Sequence, residues 1–107
     1  MTKIEISRVR LNANDMVAVS PIVSDQWNGF EHIYRDASFV RWDSVTLEFF
    51  IDPTGEFGTL TSFIRICRAA HNEYGVSLCV TEETTFEGLP EVLCEQIRTL
   101  KFETDIL

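Results

Sequence analysis

The spacing of the apolar residues changes near the middle of the chain, and this change constrains the fold more than any other feature. Residues 44–51 alternate in steps of two. Residues 59–74 instead repeat their apolar positions in steps of three and four. Steps of two are typical of a β-strand, and steps of three and four are typical of an amphipathic helix. We therefore expect a strand with one core face, followed by a helix. The core face of that strand consists of Val45, Leu47, Phe49 and Ile51.

The segment between these two patterns predicts a turn. Asp52-Pro53-Thr54-Gly55 places proline where φ is preset and glycine where a positive φ is tolerated. Thr59 is a candidate N-cap for the helix, and Gly75 is a candidate C-cap. Residues 76–80 are apolar and predict a buried strand. Because a helix separates that strand from residues 44–51, we expect the two strands to be parallel neighbours joined by a right-handed crossover.

Four shorter patterns complete the outline. Residues 3–11 alternate, but the apolar parity changes near Ser7 and Arg8, which predicts a β-bulge there. Residues 16–23 predict a strand that lies at an edge or ends early, because Pro21 has no backbone N–H to donate. Residues 30–34 and 38–42 predict a hairpin.

The end of the chain predicts a second helix. Pro90 suits a first helical turn, and Leu93, Ile97 and Leu100 form an apolar stripe behind it. The fold class is therefore α+β. We expect a mixed or mostly antiparallel sheet of about five to six strands, covered by helices at about 59–74 and 90–101, in one globular domain of residues 1–107.

Size and composition narrow the class of protein. A chain of 107 residues with a net charge of -8 falls in the size range of one domain. The first ten residues lack the pattern of a signal peptide, and no apolar stretch approaches the roughly 20 residues that span a bilayer. Three cysteines without a close pair are typical of a reducing compartment. We expect a cytoplasmic protein with no membrane partner.

A long acidic segment is the strongest indication of function. Between Arg68 and Arg98 there is no lysine or arginine. Four glutamates recur there every four residues, and we expect them to share a surface: Glu83, Glu87, Glu91 and Glu95. Such a surface repels nucleic acid and attracts a basic protein, so we expect no direct nucleic-acid binding. The alternative is a solvated acidic face that serves solubility.

A second candidate surface combines aromatic and acidic residues in the first half of the chain. Trp42, Asp43 and Glu48 are the candidate contacts, accompanied by Trp27 and Phe50. Aromatic rings supply contact area, and carboxylates pair with arginine or lysine of a partner. The alternative is that both faces of the sheet are buried and that the tryptophans belong to the core.

The histidines and cysteines are the candidate catalytic and metal-binding residues. Only His32 and His71 could supply an imidazole, and the sequence shows no catalytic spacing around them. Cys67 and His71 are four residues apart, but no close cysteine pair supports a zinc site. We expect the cysteines to behave as small buried apolar residues. The expected protein is not an enzyme and has no metal or other cofactor.

This combination of small size, acidic surfaces and candidate aromatic contacts resembles the immunity proteins of bacterial toxin–immunity systems. The resemblance covers the whole chain in size and charge. It implies tight binding to a cognate toxin domain, often a basic nuclease, with electrostatic steering of the association. The alternative from the same binding class is a DNA-mimic or phage-type inhibitor of a nucleic-acid enzyme. A small enzyme or a structural subunit is the alternative from other classes.

Overall fold

Six strands form one sheet around the long strand β1. The computed structural model describes residues 2–23, 29–33, 37, 40–101 and 106. In chain order the strands are β1 (Thr2–Leu11), β2 (Val17–Pro21), β3 (Val40–Asp43), β4 (Glu48–Ile51), β5 (Val76–Cys79) and β6 (Thr85–Glu87). The helices are α1 (Gly58–Tyr74), between β4 and β5, and α2 (Glu91–Arg98), after β6.

The sheet is mixed. Its strand order is β3-β4-β2-β1-β5, and β6 also pairs with β1. The β1–β2, β2–β4 and β3–β4 pairs are antiparallel, whereas β5 and β6 run parallel to β1. This architecture confirms the predicted α+β class, with a mixed sheet and two helices.

The irregularity predicted in β1 is present and shapes the sheet. The register of β1 against β2 shifts between Ile6 and Arg8. Residues 2–5 of β1 pair with β5, and residues 8–10 pair with β6. Because β2 lies on the opposite edge of β1, β5 and β6 follow each other along one edge. The shift in β1 marks the gap between them.

Thr84 lies in this gap. Its side chain is 4 % exposed, and its hydroxyl donates to the Ile6 carbonyl at 2.6 Å. The same oxygen accepts the backbone N–H of Thr81 at 3.0 Å. One hydroxyl therefore satisfies two backbone groups at the point where the strand ladder is interrupted.

The core lies between one face of the sheet and the helices. β1, β2, β4 and β5 contribute aliphatic side chains, and α1 contributes Phe63, Ile66 and Ala70. Phe30 packs its ring against Trp42, Phe49 and Tyr74, with centroids 5.1, 4.9 and 5.3 Å away. These contacts join the end of α1 to β3 and β4.

The observed helix ends match the predicted ends in part. Gly75 adopts the left-handed φ of 65°, and its N–H reaches the carbonyls of Ala70 and His71, which confirms the predicted C-cap. Thr59 does not cap α1, because the helix begins at Gly58 without a side-chain cap. Helix α2 follows Pro90 as predicted but ends at Arg98, before residue 101.

The strand predicted at residues 44–51 is shorter than expected. β4 begins at Glu48, and residues 44–47 form a turn. The Asp43 carboxylate accepts the N–H groups of Val45 and Thr46, and the Asp43 carbonyl accepts that of Leu47. This turn leaves Val45 90 % exposed, so its predicted core position is wrong.

Two predicted strand pairings are also wrong. β5 pairs with β1, while β4 lies between β2 and β3, so residues 44–51 and 76–80 are not parallel neighbours. The expected hairpin of residues 30–34 and 38–42 does not form, because β3 pairs with β4 and residues 30–33 are turn or 3₁₀ structure. Residues 34, 38 and 39 of that prediction lie outside the described residues. β2 ends at Pro21, so the early end is confirmed and the edge position is wrong.

We expect Thr84→Val to destabilise the protein by about 1 to 3 kcal/mol, because valine keeps the shape but leaves the buried Ile6 carbonyl and the partly buried Thr81 N–H without this partner. Chemical denaturation followed by circular dichroism measures this change. Thr85→Val is the matched control, since Thr85 is exposed and its hydroxyl bond to Ser7 is long, at 3.4 Å. Equal effects of the two substitutions would contradict the role given to Thr84.

Candidate functional site

Helix α2 presents an acidic surface with an apolar centre. Its opposite side buries Cys94 and Ile97. The exposed residues line an open depression of about 420 Å³, and we call them the α2 face: Glu91, Val92, Glu95, Gln96 and Thr99. Val92 is 71 % exposed, although most aliphatic side chains of the described strands and helices lie in the core. Val92 therefore adds one apolar side chain to a surface that carries two carboxylates.

The charges of the α2 face are only partly explained by the helix itself. Glu91 occupies the first turn, where the helix macrodipole stabilises an anion. Glu95 accepts a hydrogen bond from Arg98 Nη1 at 3.0 Å, but both side chains are about half exposed. Ion pairs between side chains as exposed as these contribute about 0 to 1 kcal/mol to stability. Either side chain can readily pair with another charged group instead. Glu91 and Glu95 thus remain accessible to an external cation.

Arg98 also contacts β6. Its guanidinium lies 4.6 Å from the centre of the Phe86 ring on that strand. A cation–π contact of a half-exposed arginine contributes about 0.5 to 1 kcal/mol. The buried side of α2, with Cys94 and Ile97, therefore attaches the helix to the rest of the protein, and the Arg98–Phe86 contact adds to it.

The other two predicted acidic residues lie on different elements. Glu83 is exposed in the turn between β5 and β6, where its N–H donates to the Thr81 hydroxyl at 3.1 Å. Glu87 is the exposed last residue of β6 and is in register with Arg10 of β1. Only Glu91 and Glu95 of the predicted set share one helical turn.

A second cluster lies on the sheet face that carries the polar side chains. Glu48 is 5 % exposed, and its carboxylate accepts a hydrogen bond from the Ser20 hydroxyl at 2.7 Å. Arg10 Nη2 approaches the two carboxylate oxygens at 3.3 and 3.4 Å. We call Arg10, Ser20 and Glu48 the Glu48 cluster. A buried carboxylate needs such partners, because its charge has lost most of its water.

The structure gives the remaining predicted contact residues internal roles. Glu48 is bonded within its own cluster, and Asp43 holds the turn before β4. Trp42 packs 4.8 Å from Phe49 in the core aromatic cluster. Its indole Nε1 is buried without a hydrogen-bond partner among the described residues. As partner contacts these three residues remain predictions, and Trp27 lies outside the described residues.

Val92 was not among the residues selected from the sequence. It lies next to Leu93 but off the stripe of Leu93, Ile97 and Leu100, and Glu91 and Glu95 are on its side of the helix. An apolar residue on the polar side of a predicted helix was the signal that could have identified it. The Glu48 cluster had no such signal, because its members are distant in sequence.

The described residues offer few groups for acid–base or metal chemistry. Within residues 2–23, 29–33, 37, 40–101 and 106 there is no group of three histidine, cysteine or carboxylate side chains suited to a metal ion. Burial raises the pKa of Cys67 to about 12, with a smaller contribution from Cys79. Hydrogen bonds from the hydroxyl and N–H of Thr54 lower the pKa of Asp52. Neither described helix is long and apolar enough to span a membrane.

The fold and its surfaces define a small acidic α+β domain with an exposed helix face. Residues 6–84 match the family of the integron cassette protein Hfx_Cass5. The chain belongs to this family, since the match covers well over half of its length. No curated protein matches the chain.

A solved structure from the same family is also similar. It is entitled "Structure from the mobile metagenome of North West Arm Sewage Outfall: Integron Cassette Protein Hfx_Cass5". The two proteins are 22% identical, the alignment covers 92% of this chain and 94% of that chain, and the TM-score is 0.42. This identity and this TM-score are too low to transfer structural detail or function from that protein to this chain.

The family corrects the resemblance drawn from size and charge. The assignment to immunity proteins of toxin–immunity systems is wrong, because the matching family is that of an integron cassette protein. The function inferred from that resemblance, inhibition of a toxin, is wrong for the same reason. Composition is shared by many unrelated acidic domains, whereas a match over residues 6–84 rests on the order of residues.

We expect removal of the Glu48 charge to destabilise the fold. Glu48→Gln leaves Arg10 partly buried without its counter-ion, and we expect a loss of about 2 to 4 kcal/mol in the free energy of unfolding. A double-mutant cycle with Arg10→Met isolates the coupling between the two side chains, which we expect to be about 1 to 3 kcal/mol. A coupling near zero would show that the pair contributes nothing to stability.

Proposed function

We propose that the protein is a binding domain, not an enzyme, and that its partner is a protein with a basic surface that docks on the α2 face. The proposal is supported most by Val92, which is 71 % exposed beside two carboxylates on a helix whose opposite side is buried in the core. A helix that presents an apolar side chain together with charged ones has a composition suited to a contact surface.

The chemistry of the α2 face fits lysine and arginine side chains. Their aliphatic stems can cover Val92, while their charged ends reach Glu91 or Glu95. Arginine is suited to this geometry because its planar guanidinium pairs with a carboxylate through two parallel bonds. The net charge of -8 would also accelerate the approach of a basic partner.

The same charge makes nucleic acid an unfavourable partner. Binding to phosphates requires clustered lysine and arginine, and the α2 face offers carboxylates instead. We further propose a cytoplasmic location, which is supported by the three free thiols of Cys67, Cys79 and Cys94.

The test compares two exposed valines. Val92→Asp places a charge at the centre of the α2 face, whereas Val45→Asp makes the same change in the turn before β4, where the valine is 90 % exposed. Both variants and the wild type are immobilised, and proteins retained from an extract of the source cells are quantified by mass spectrometry. We expect one basic protein to be retained by the wild type and by Val45→Asp but lost with Val92→Asp. Equal retention on all three baits would exclude the α2 face.

Electrostatic steering predicts a kinetic signature once that partner is purified. We expect Glu91→Lys/Glu95→Lys to slow association by about tenfold or more at low salt and to flatten its dependence on ionic strength, because two attractive charges become repulsive. Surface plasmon resonance over a salt series measures both effects. Glu95→Lys and Glu73→Lys each reverse one exposed charge, and we expect Glu73→Lys, on α1, to change the association rate much less than Glu95→Lys.

A further inference from the structure

A second feature of the molecule is a cavity between α1, β5 and α2. Its volume is about 170 Å³. Phe63 and Cys67 of α1, Leu78 of β5 and Ile97 of α2 are buried and form its inner wall. Ser77 and Cys79 of β5 are half-buried and also line it, so this side lies closer to solvent. The described residues of its wall carry no ionised side chain at neutral pH.

The size of the cavity is suited to a small ring. An apolar cavity of about 150 Å³ in an engineered protein stays dry and binds benzene. This cavity is slightly larger and is partly open to solvent, and its buried wall is apolar.

Small side chains keep the cavity open. Cys67 and Cys79 line the cavity from elements that pack against each other, and a leucine in place of the buried Cys67 would fill part of the space. Protein interiors are normally packed without voids of this size, since unfilled walls lose dispersion contacts. Burial strongly disfavours the thiolate of Cys67, which shows that charge is poorly tolerated at this wall.

We propose that this cavity is a binding site for a small uncharged molecule of about the size of one aromatic ring. The inner wall supplies dispersion contacts to the ring. Ser77 and Cys79, whose side chains hydrogen-bond to each other at 3.8 Å, lie at the half-buried side, and a polar substituent of the ligand would have to compete with that bond. None of the residues of the α2 face lines this cavity.

Benzene is the probe for the site, and sodium benzoate is the charged control. We expect benzene to raise the Tm of the wild type by roughly 5 °C at about ten times its dissociation constant, with saturation, and benzoate to have no effect. Methyl NMR spectra of the same titration should shift the signals of Leu78 and Ile97. The signals of Val17 and Val19, which do not line the cavity, should stay in place.

A cavity-filling variant makes the test specific. Cys67→Leu should raise the Tm without ligand and abolish the response to benzene. Cys94→Ala is the control, because Cys94 is buried on α2 but does not line the cavity, and it should keep the response. If Cys67→Leu does not fold, the methyl titration of the wild type decides alone. Absence of saturable shifts at Leu78 and Ile97, or an undiminished response in folded Cys67→Leu, would overturn the proposal.

Discussion

The register shift in β1 is the constraint on which the rest of the structure depends. It allows two short strands, β5 and β6, to pair with successive halves of one edge of β1. The Thr84 hydroxyl bridges the interruption by bonding to Ile6 and Thr81. Helix α1 leads into β5, and α2 follows β6, so the positions of both helices follow from this edge. The exposed side of α2 and the cavity beside β5 both result from it.

Charge in this domain is distributed unevenly over the two sides of the sheet. Arg10, Ala18, Phe50 and Arg41 are successive partners in register across four strands. The carboxylate of Glu48 lies beside Arg10, so part of the negative charge of the chain is neutralised internally. On the α2 face, the exposed Arg98 pairs with Glu95, and this pair neutralises little of the negative charge there. Exposed carboxylates of the described residues also lie elsewhere, at Asp15, Glu31, Glu56 and Glu73, but Glu91 and Glu95 share one helical turn.

Local patterns predicted much of this fold, and long-range pairing accounts for what they missed. The bulge in β1, the cap at Gly75 and the two helices each depend on a few neighbouring residues, and all are present. Strand order depends on which distant segments pair, and alternation alone contains no information about that. Residues 44–47 alternate like a strand, but hydrogen bonds from their N–H groups to Asp43 stabilise a turn instead.

The candidate site likewise combines features that neighbouring residues predict with features that depend on residues distant in sequence. Glu91 and Glu95 follow from helical spacing, and their shared turn is present on α2. The internal roles of Trp42 and Glu48 arise from Phe49 and Arg10, which the sequence does not identify as their neighbours. Size and charge likewise pointed to the wrong family, because they carry no information about residue order.

Hydrogen–deuterium exchange of the domain, alone and with its purified partner, tests the central claim most directly. If the partner docks on the α2 face, amides of Glu91–Arg98 should exchange more slowly in the complex. Those of the turn at 44–47 should exchange at an unchanged rate. Protection at 44–47 or along β3, with none on α2, would show that the partner binds elsewhere and that the acidic helix serves only solubility.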